Sequence, residues 1–228
     1  MQAMILAAGE GTRMRPLSDH LPKCMFPLGG QPALERTIRW LVAHGVSKAI
    51  VNLRRPAAVV GYFGDGSRWK IELRYSLEER LLGIQQGLRR MARIARPAEP
   101  VVIVYGDVVP HFLASLPAFS QAVGVSVYAA EEFSQGSVLA LDPSGSILSR
   151  TVEPIVPGCA MDAGMYYLPQ DLFQRLVDYR GLGEDAHLLD LARQLKIPLR
   201  AFQVPPPFDL GNMASYLRAL DQWKEPCG

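Results

Sequence analysis

The stretch from Ala3 to Arg13, AMILAAGEGTR, decides the fold. Ala3 to Ala8 is a short apolar run that stops at a glycine, the pattern of a buried strand. Gly9, Gly11 and the cation Arg13 follow. Glycines let backbone N–H groups approach an anion closely, so a strand running straight into such a loop can form a nest for phosphate oxygens. No Gly-Lys-Ser/Thr follows, which excludes a Walker loop, and Met14 stands where the dinucleotide fingerprint has its third glycine. On its own, Gly9-x-Gly11 reads equally well as a plain tight turn.

The next residues favour the phosphate reading. Pro16, Pro22, Pro27 and Pro32 predict an extended, irregular path where a simple βα unit would begin its helix. Such a path can bring Lys23 back to the same phosphates; the alternative is a solvated loop lysine. Beyond it the spacing predicts a helix over Pro32–His44, a strand over Lys48–Leu53, a short helix over Pro56–Phe63 and a half-buried strand over Ile71–Tyr75. A helix over Leu81–Ala95 and a fully apolar strand over Pro100–Tyr105 come next. Arg89, Arg90, Arg93 and Arg96 near that helix's end complement its dipole, a better reading than an RNA-binding patch.

This alternation predicts an α/β fold: a Rossmann-like mixed sheet flanked by helices. The second half is richer in strands: Val125–Ala130, Val138–Leu141, Ile147–Val152 and Met161–Leu168. Helices are expected at Asp171–Tyr179 and Glu184–Lys196, a strand at Leu199–Val204, and a last helix capped by Asn212. We therefore expect a single domain over 1–228, with a first half (about 1–122) and a small, β-rich second half (about 123–228).

Composition narrows the functional classes. The 228 residues are 49% hydrophobic and 20% charged, which suits a globular chain that needs no staple. A net charge of +2 gives no footprint for nucleic acid. No apolar run approaches the roughly 18 residues of a membrane span, and the N-terminus lacks the basic start of a signal peptide. Cys24, Cys159 and Cys227 share no metal or disulfide spacing, which fits a reducing cytoplasm. The four histidines (His20, His44, His111 and His187) show no ligand spacing, and no set of residues suggests a covalent nucleophile.

The run Leu6-Ala7-Ala8-Gly9-Glu10-Gly11-Thr12-Arg13-Met14-Arg15-Pro16-Leu17, with Pro22-Lys23-Cys24-Met25-Phe26-Pro27, resembles the signature of sugar-1-phosphate nucleotidyltransferases, the nucleotide-sugar pyrophosphorylases. Weaker matches at Leu82-Gly83, Tyr105-Gly106-Asp107, Gly136, Glu153-Pro154, Asp162-Ala163-Gly164 and Asp209-Leu210-Gly211 extend the likeness over nearly the whole chain. Within the family it points towards a short bacterial hexose- or heptose-1-phosphate guanylyltransferase.

The resemblance implies a nucleotide-binding half over about 1–122, a sugar-binding half over about 123–228, a reaction and a site. A sugar 1-phosphate oxygen attacks the α-phosphorus of a nucleoside triphosphate, and pyrophosphate leaves. Arg13, Lys23 and Asp107 would be catalytic. Leu6, Ala7, Ala8, Gly9, Gly11, Thr12, Arg13, Glu78, Gly83, Tyr105 and Gly106 would hold the nucleotide. Asp107, at a strand end, and Asp209 would hold Mg²⁺, which commonly takes one or two carboxylates plus substrate phosphates; the plainer reading of each is a turn aspartate.

Gly136, Glu153 and Asp162 match positions lining the sugar-phosphate pocket. The family's lysine after that glutamate is replaced by Pro154, which leaves Arg150 as the nearby cation for the sugar phosphate. Glu78, five residues before Gly83, would meet the base. A carboxylate only accepts hydrogen bonds, which suits guanine and favours GTP; the alternative is a solvated loop residue. Two other functions stay open: a non-catalytic nucleotide-sugar-binding homologue, and transfer to a non-sugar phosphate such as phosphocholine.

Overall fold

The computed structural model describes every residue except 81, 96, 131–133, 156–157, 182–185 and 224–228, and only the backbone of 134–136 and 153–155. In chain order the elements are β1 (Gln2–Leu6), α1 (Leu17–His20), β2 (Pro27–Leu28), β3 (Gln31–Pro32), α2 (Ala33–Ala43), β4 (Lys48–Leu53), α3 (Ala57–Phe63), β5 (Glu72–Leu77), α4 (Gly83–Ala95), β6 (Val101–Tyr105) and β7 (Val108–Val109). The second half adds β8 (Val123–Ala129), β9 (Ser134–Leu141), β10 (Ile147–Ile155), β11 (Ala160–Leu168), α5 (Gln170–Asp178), α6 (Leu188–Gln194), β12 (Leu199–Gln203), β13 (Phe208–Asp209) and α7 (Met213–Gln222).

The expected elements are present, with ends shifted by a few residues. The proline-rich segment differs in kind. It is irregular but not extended, because it breaks into single helical turns at Thr12–Met14, α1 and Lys23–Met25 before the β2–β3 hairpin. Proline at a turn's first position has its φ already set and no N–H to satisfy, so spaced prolines restart short turns as readily as they extend a chain.

β5, β4, β1 and β6 pair in parallel, in that order. Alternate residues of these strands enter two different cores. Ala3, Ile5, Ala49, Val51, Val102 and Val104 pack under α2 and α3. Met4, Ile50, Val101 and Ile103 pack under α4, α5 and α6. Fully burying one large aliphatic side chain contributes roughly 1.5–3 kcal/mol, so strands apolar on both faces hold the molecule's centre. The chain winds outward from β1 to β4 and β5, then crosses to β6 on β1's other side. That reversal opens a crevice at the carboxyl ends of β1 and β6, where open α/β sheets bind ligands.

The β-rich second half joins the same sheet. β11 runs antiparallel to β6 through Met165–Leu168, while its first residues, Ala160 and Met161, pair with β9. β8 lies along β11's other side, with an irregularity between Asp162 and Tyr166. The sheet therefore forks at Asp162–Gly164. The β9–β10 hairpin and β6 pair with successive stretches of β11.

Candidate active site

The loop after β1 is anchored at both ends. The Ala7 N–H donates to the Asn52 carbonyl at 3.1 Å, and the Gly11 carbonyl accepts from Met14 N–H and Ser18 Oγ, each at 2.8 Å. Between these anchors, among the described residues, the N–H groups of Ala8, Gly9, Glu10 and Gly11 have no protein acceptor. A run of unpaired amides at a strand end is an anion nest. Gly11 has φ +71°, and a Cβ there would sit 3.1 Å from Lys23 Cγ. Glycine thus lets the Lys23 stem lie against the loop.

Lys23 Nζ bonds Asp107 Oδ2 across the crevice. Asp107 leaves β6 through Gly106, whose N–H donates to the Leu6 carbonyl at 2.9 Å. A Cβ on Gly106 would lie 2.6 Å from that of Ala7, so only glycine lets the β6 exit approach the loop this closely. β13 pairs with β7, aligning Asp209 with Val108, and Leu210 N–H donates to the Asp107 carbonyl at 2.8 Å. The two aspartates therefore share one edge.

Burial pushes the Asp209 carboxyl up, and the charge of Asp107 adds to this; the Gly211 N–H, 2.7 Å from Oδ1, opposes it. A Cβ on Gly211 would lie 2.9 Å from Asp209 Oδ1 and 3.5 Å from Arg13 Nη2, which places the exposed Arg13 at the same spot. Cys24, beside Lys23, is buried, and burial pushes its thiol up to about 12, so it is no nucleophile.

The structure thus brings Arg13, Lys23, Asp107 and Asp209 together beside Leu6, Ala7, Ala8, Gly9, Gly11, Thr12 and Gly106. Gly83 opens α4. Glu78 sits differently from its expected place at the base. It is 3% exposed; its Oε1 accepts from Asn52 Nδ2 at 2.6 Å and its Oε2 from Leu82 N–H at 3.3 Å. Both oxygens accept bonds inside the protein and the side chain is buried, so in this structure Glu78 braces the loop that leads into α4.

At the sugar end, Gly136 and Glu153 are register partners in β9 and β10; the Glu153 side chain lies outside what is described. Asp162 occupies the fork, where its Oδ2 accepts from Tyr166 Oη at 2.5 Å and its Oδ1 from Gly164 N–H at 2.8 Å. Arg150 donates to Ser137 Oγ and to Asp190 Oδ2, each at 3.1 Å.

One member of this cluster carried no sequence signal. His187 Nε2 lies 3.0 Å from Tyr105 Oη and 3.7 Å from Asp162 Oδ2. Isolated in sequence, it gains its setting only through partners on β6 and β11. Tyr105, expected against nucleotide, here turns its hydroxyl into this cluster.

Loop, paired carboxylates and two cations meet at the switch point of an α/β sheet, the composition of a site for phosphate-bearing ligands. The chain belongs to the nucleotidyl transferase family, whose model matches residues 2–143. Over 34% of its length it is 42% identical to a UTP–glucose-1-phosphate uridylyltransferase from Synechocystis, covering 20% of that protein. Over 77% it is 30% identical to a mannose-1-phosphate guanyltransferase from Schizosaccharomyces pombe, covering 52% of it. The chain thus spans about half or less of these curated relatives. In fold it is similar to HddC from Yersinia pseudotuberculosis complexed with GMP-PN, with a TM-score of 0.78 and 21% identity over 98% of this chain and 99% of that one. No described helix is long and apolar enough to cross a membrane.

Proposed function

We propose that this chain transfers a nucleoside monophosphate from a nucleoside triphosphate to a sugar 1-phosphate, releasing pyrophosphate. The observation that carries the reading is the convergence of Lys23, Asp107 and Asp209, with Arg13, beside the unpaired amides of the Ala8–Gly11 loop. A sugar-phosphate oxygen forms a new bond to the α-phosphorus while the bond to the bridging β-phosphate oxygen breaks. The loop amides and Arg13 hold the triphosphate. Lys23 neutralises charge between the two anionic reactants, which the protein fixes in line.

Asp209 is a half-buried carboxylate that, among the described residues, no lysine or arginine bonds, and a second carboxylate lies beside it. That donor set suits Mg²⁺, although no group of three or more His, Cys, Asp or Glu residues that could hold a metal occurs among the described residues. When bound there, the ion would neutralise phosphate charge. For the sugar phosphate we propose Arg150, which uses Nε and Nη1 internally and keeps further N–H donors of its planar fork. Glu153, Gly136 and Asp162 complete the proposed sugar half.

We propose GTP as donor. Its support is the guanyltransferase relative and the guanosine-nucleotide complex among fold neighbours, not Glu78. The test is pyrophosphate release with GTP, UTP, dTTP, CTP and ATP against a panel of sugar 1-phosphates plus phosphocholine. Turnover with a sugar 1-phosphate and GTP is expected. Turnover only with phosphocholine overturns the sugar reading, turnover only with UTP overturns the base, and binding without release makes the chain a non-catalytic homologue.

A further inference from the structure

A second concentration of positive charge lies outside this site. Arg89, Arg90 and Arg93 of α4 and Arg180, just beyond α5, line one groove of about 460 Å³ with Leu82 and Gln86. Among the described residues no carboxylate lines it; Asp178 lines the adjoining groove, which Arg89, Arg93 and Arg180 also face. Arg89 is spoken for: it donates to the Val177 and Tyr179 carbonyls and closes the end of α5. Arg90, Arg93 and Arg180 are exposed and, among the described residues, make no ion pair or hydrogen bond. A dipole role for α4 explains a basic residue in its last turn. It does not explain why a further arginine comes from another element to face the same groove.

Like charges gathered from two elements repel one another unless an anion sits among them. We propose that this groove is a second anion site that binds a small ligand carrying at least two phosphate groups. Guanidinium forks match phosphate oxygens in bidentate geometry, which favours phosphate as the anion. One phosphate carries a charge of about −1.5 to −2, less than three unpaired guanidiniums supply. The volume falls within the roughly 300–1,000 Å³ of small-molecule sites. The near-neutral chain as a whole lacks the extended basic face that a nucleic acid needs. Leu82 and Gln86 lie on either side of Gly83 in the sequence, and none of the groove's lining residues belongs to the Lys23–Asp107 crevice.

The test is equilibrium binding of inorganic pyrophosphate to the full chain without divalent metal. Because binding is read without turnover, its outcome is separate from that of the proposed reaction. The wild type should take up a second equivalent that persists in Lys23→Ala. Arg93→Gln and Arg180→Gln should each weaken that equivalent by about tenfold and leave pyrophosphate release in the catalytic assay unchanged. Arg90→Gln, on the exposed face of α4, is an independent variant should either of those fail to fold. Pyrophosphate uptake that vanishes entirely with Lys23→Ala overturns the proposal. So do arginine variants that bind like wild type, or a short single-stranded RNA that competes pyrophosphate out of the groove.

Discussion

Lys23 and Asp107 meet only because Gly11 lets the lysine stem lie flat and Gly106 lets β6 close on the loop. In the proposed reaction, removing either cation would leave phosphate charge unopposed as the transition state forms. Arg13→Ala and Lys23→Ala should each lower kcat/KM by about 10²-fold or more, with thermal melts close to wild type, because neither side chain anchors a core. Near-normal turnover in both would remove them from the mechanism. Asp209 carries a different cost. Its carboxyl is raised in the folded chain, so the stability it contributes is complete below the unfolded value of about 3.9 and fades as pH rises through the folded value. Asp209→Asn keeps the acceptor for Gly211 N–H and abolishes that loss. The variant should therefore melt higher than wild type at neutral pH while losing metal-dependent turnover. Melting curves that run parallel from about pH 4 to about pH 8 would clear Asp209 of this effect.

At the scale of elements, α6 depends on one ring. His187 caps it by accepting from Leu189 N–H through Nδ1 at 3.3 Å. The neutral ring's proton then resides on Nε2, towards Tyr105. Burial, and after it the charge of Arg150, pull the imidazole down to about 3. A group depressed in this way loses folded-state stability as pH falls from its unfolded value of about 6.5 towards 3, by up to about 1.4 kcal/mol per pH unit. His187→Asn preserves a capping acceptor but cannot titrate, so its stability should be flatter over that range in denaturant titrations. An unchanged slope would place the dependence elsewhere.

The sequence made the central strands legible because β1, β4 and β6 are apolar on both faces, and it made the loop legible because glycine, lysine and aspartate punctuate their ends. What it could not show depends on partners distant in the chain. His187 meets Tyr105 from another element. Glu78 looks like a free carboxylate until Asn52 is seen to bind it. Helix α6 was expected from Glu184, which lies outside the described residues, and is seen to begin at Leu188. The single turns after the first loop also escaped, since proline spacing does not separate restarted turns from an extended path.

Across the whole molecule a third apolar cluster ties the two ends of the sequence together. Met14, Phe26, Leu28 and Ala33 pack with Val109 and with Phe208, Leu210, Tyr216 and Ala219. Tyr216 Oη also donates to the Pro27 carbonyl at 2.8 Å. Ending the chain after Val204 should leave the central sheet standing but strip this cluster. Buried large side chains are worth roughly 1.5–3 kcal/mol each, so the shortened protein should melt well below wild type and show no metal-dependent turnover. A truncated form that keeps both would show that the cluster serves neither purpose.

The pairing of β13 with β7 has a further consequence in the order of synthesis. A growing chain displays its phosphate loop, Lys23 and Asp107 long before Asp209 leaves the ribosome. Until Asp209 has emerged and β13 has paired with β7, the nest stands without its second carboxylate, so on the proposed reading a nascent chain is silent.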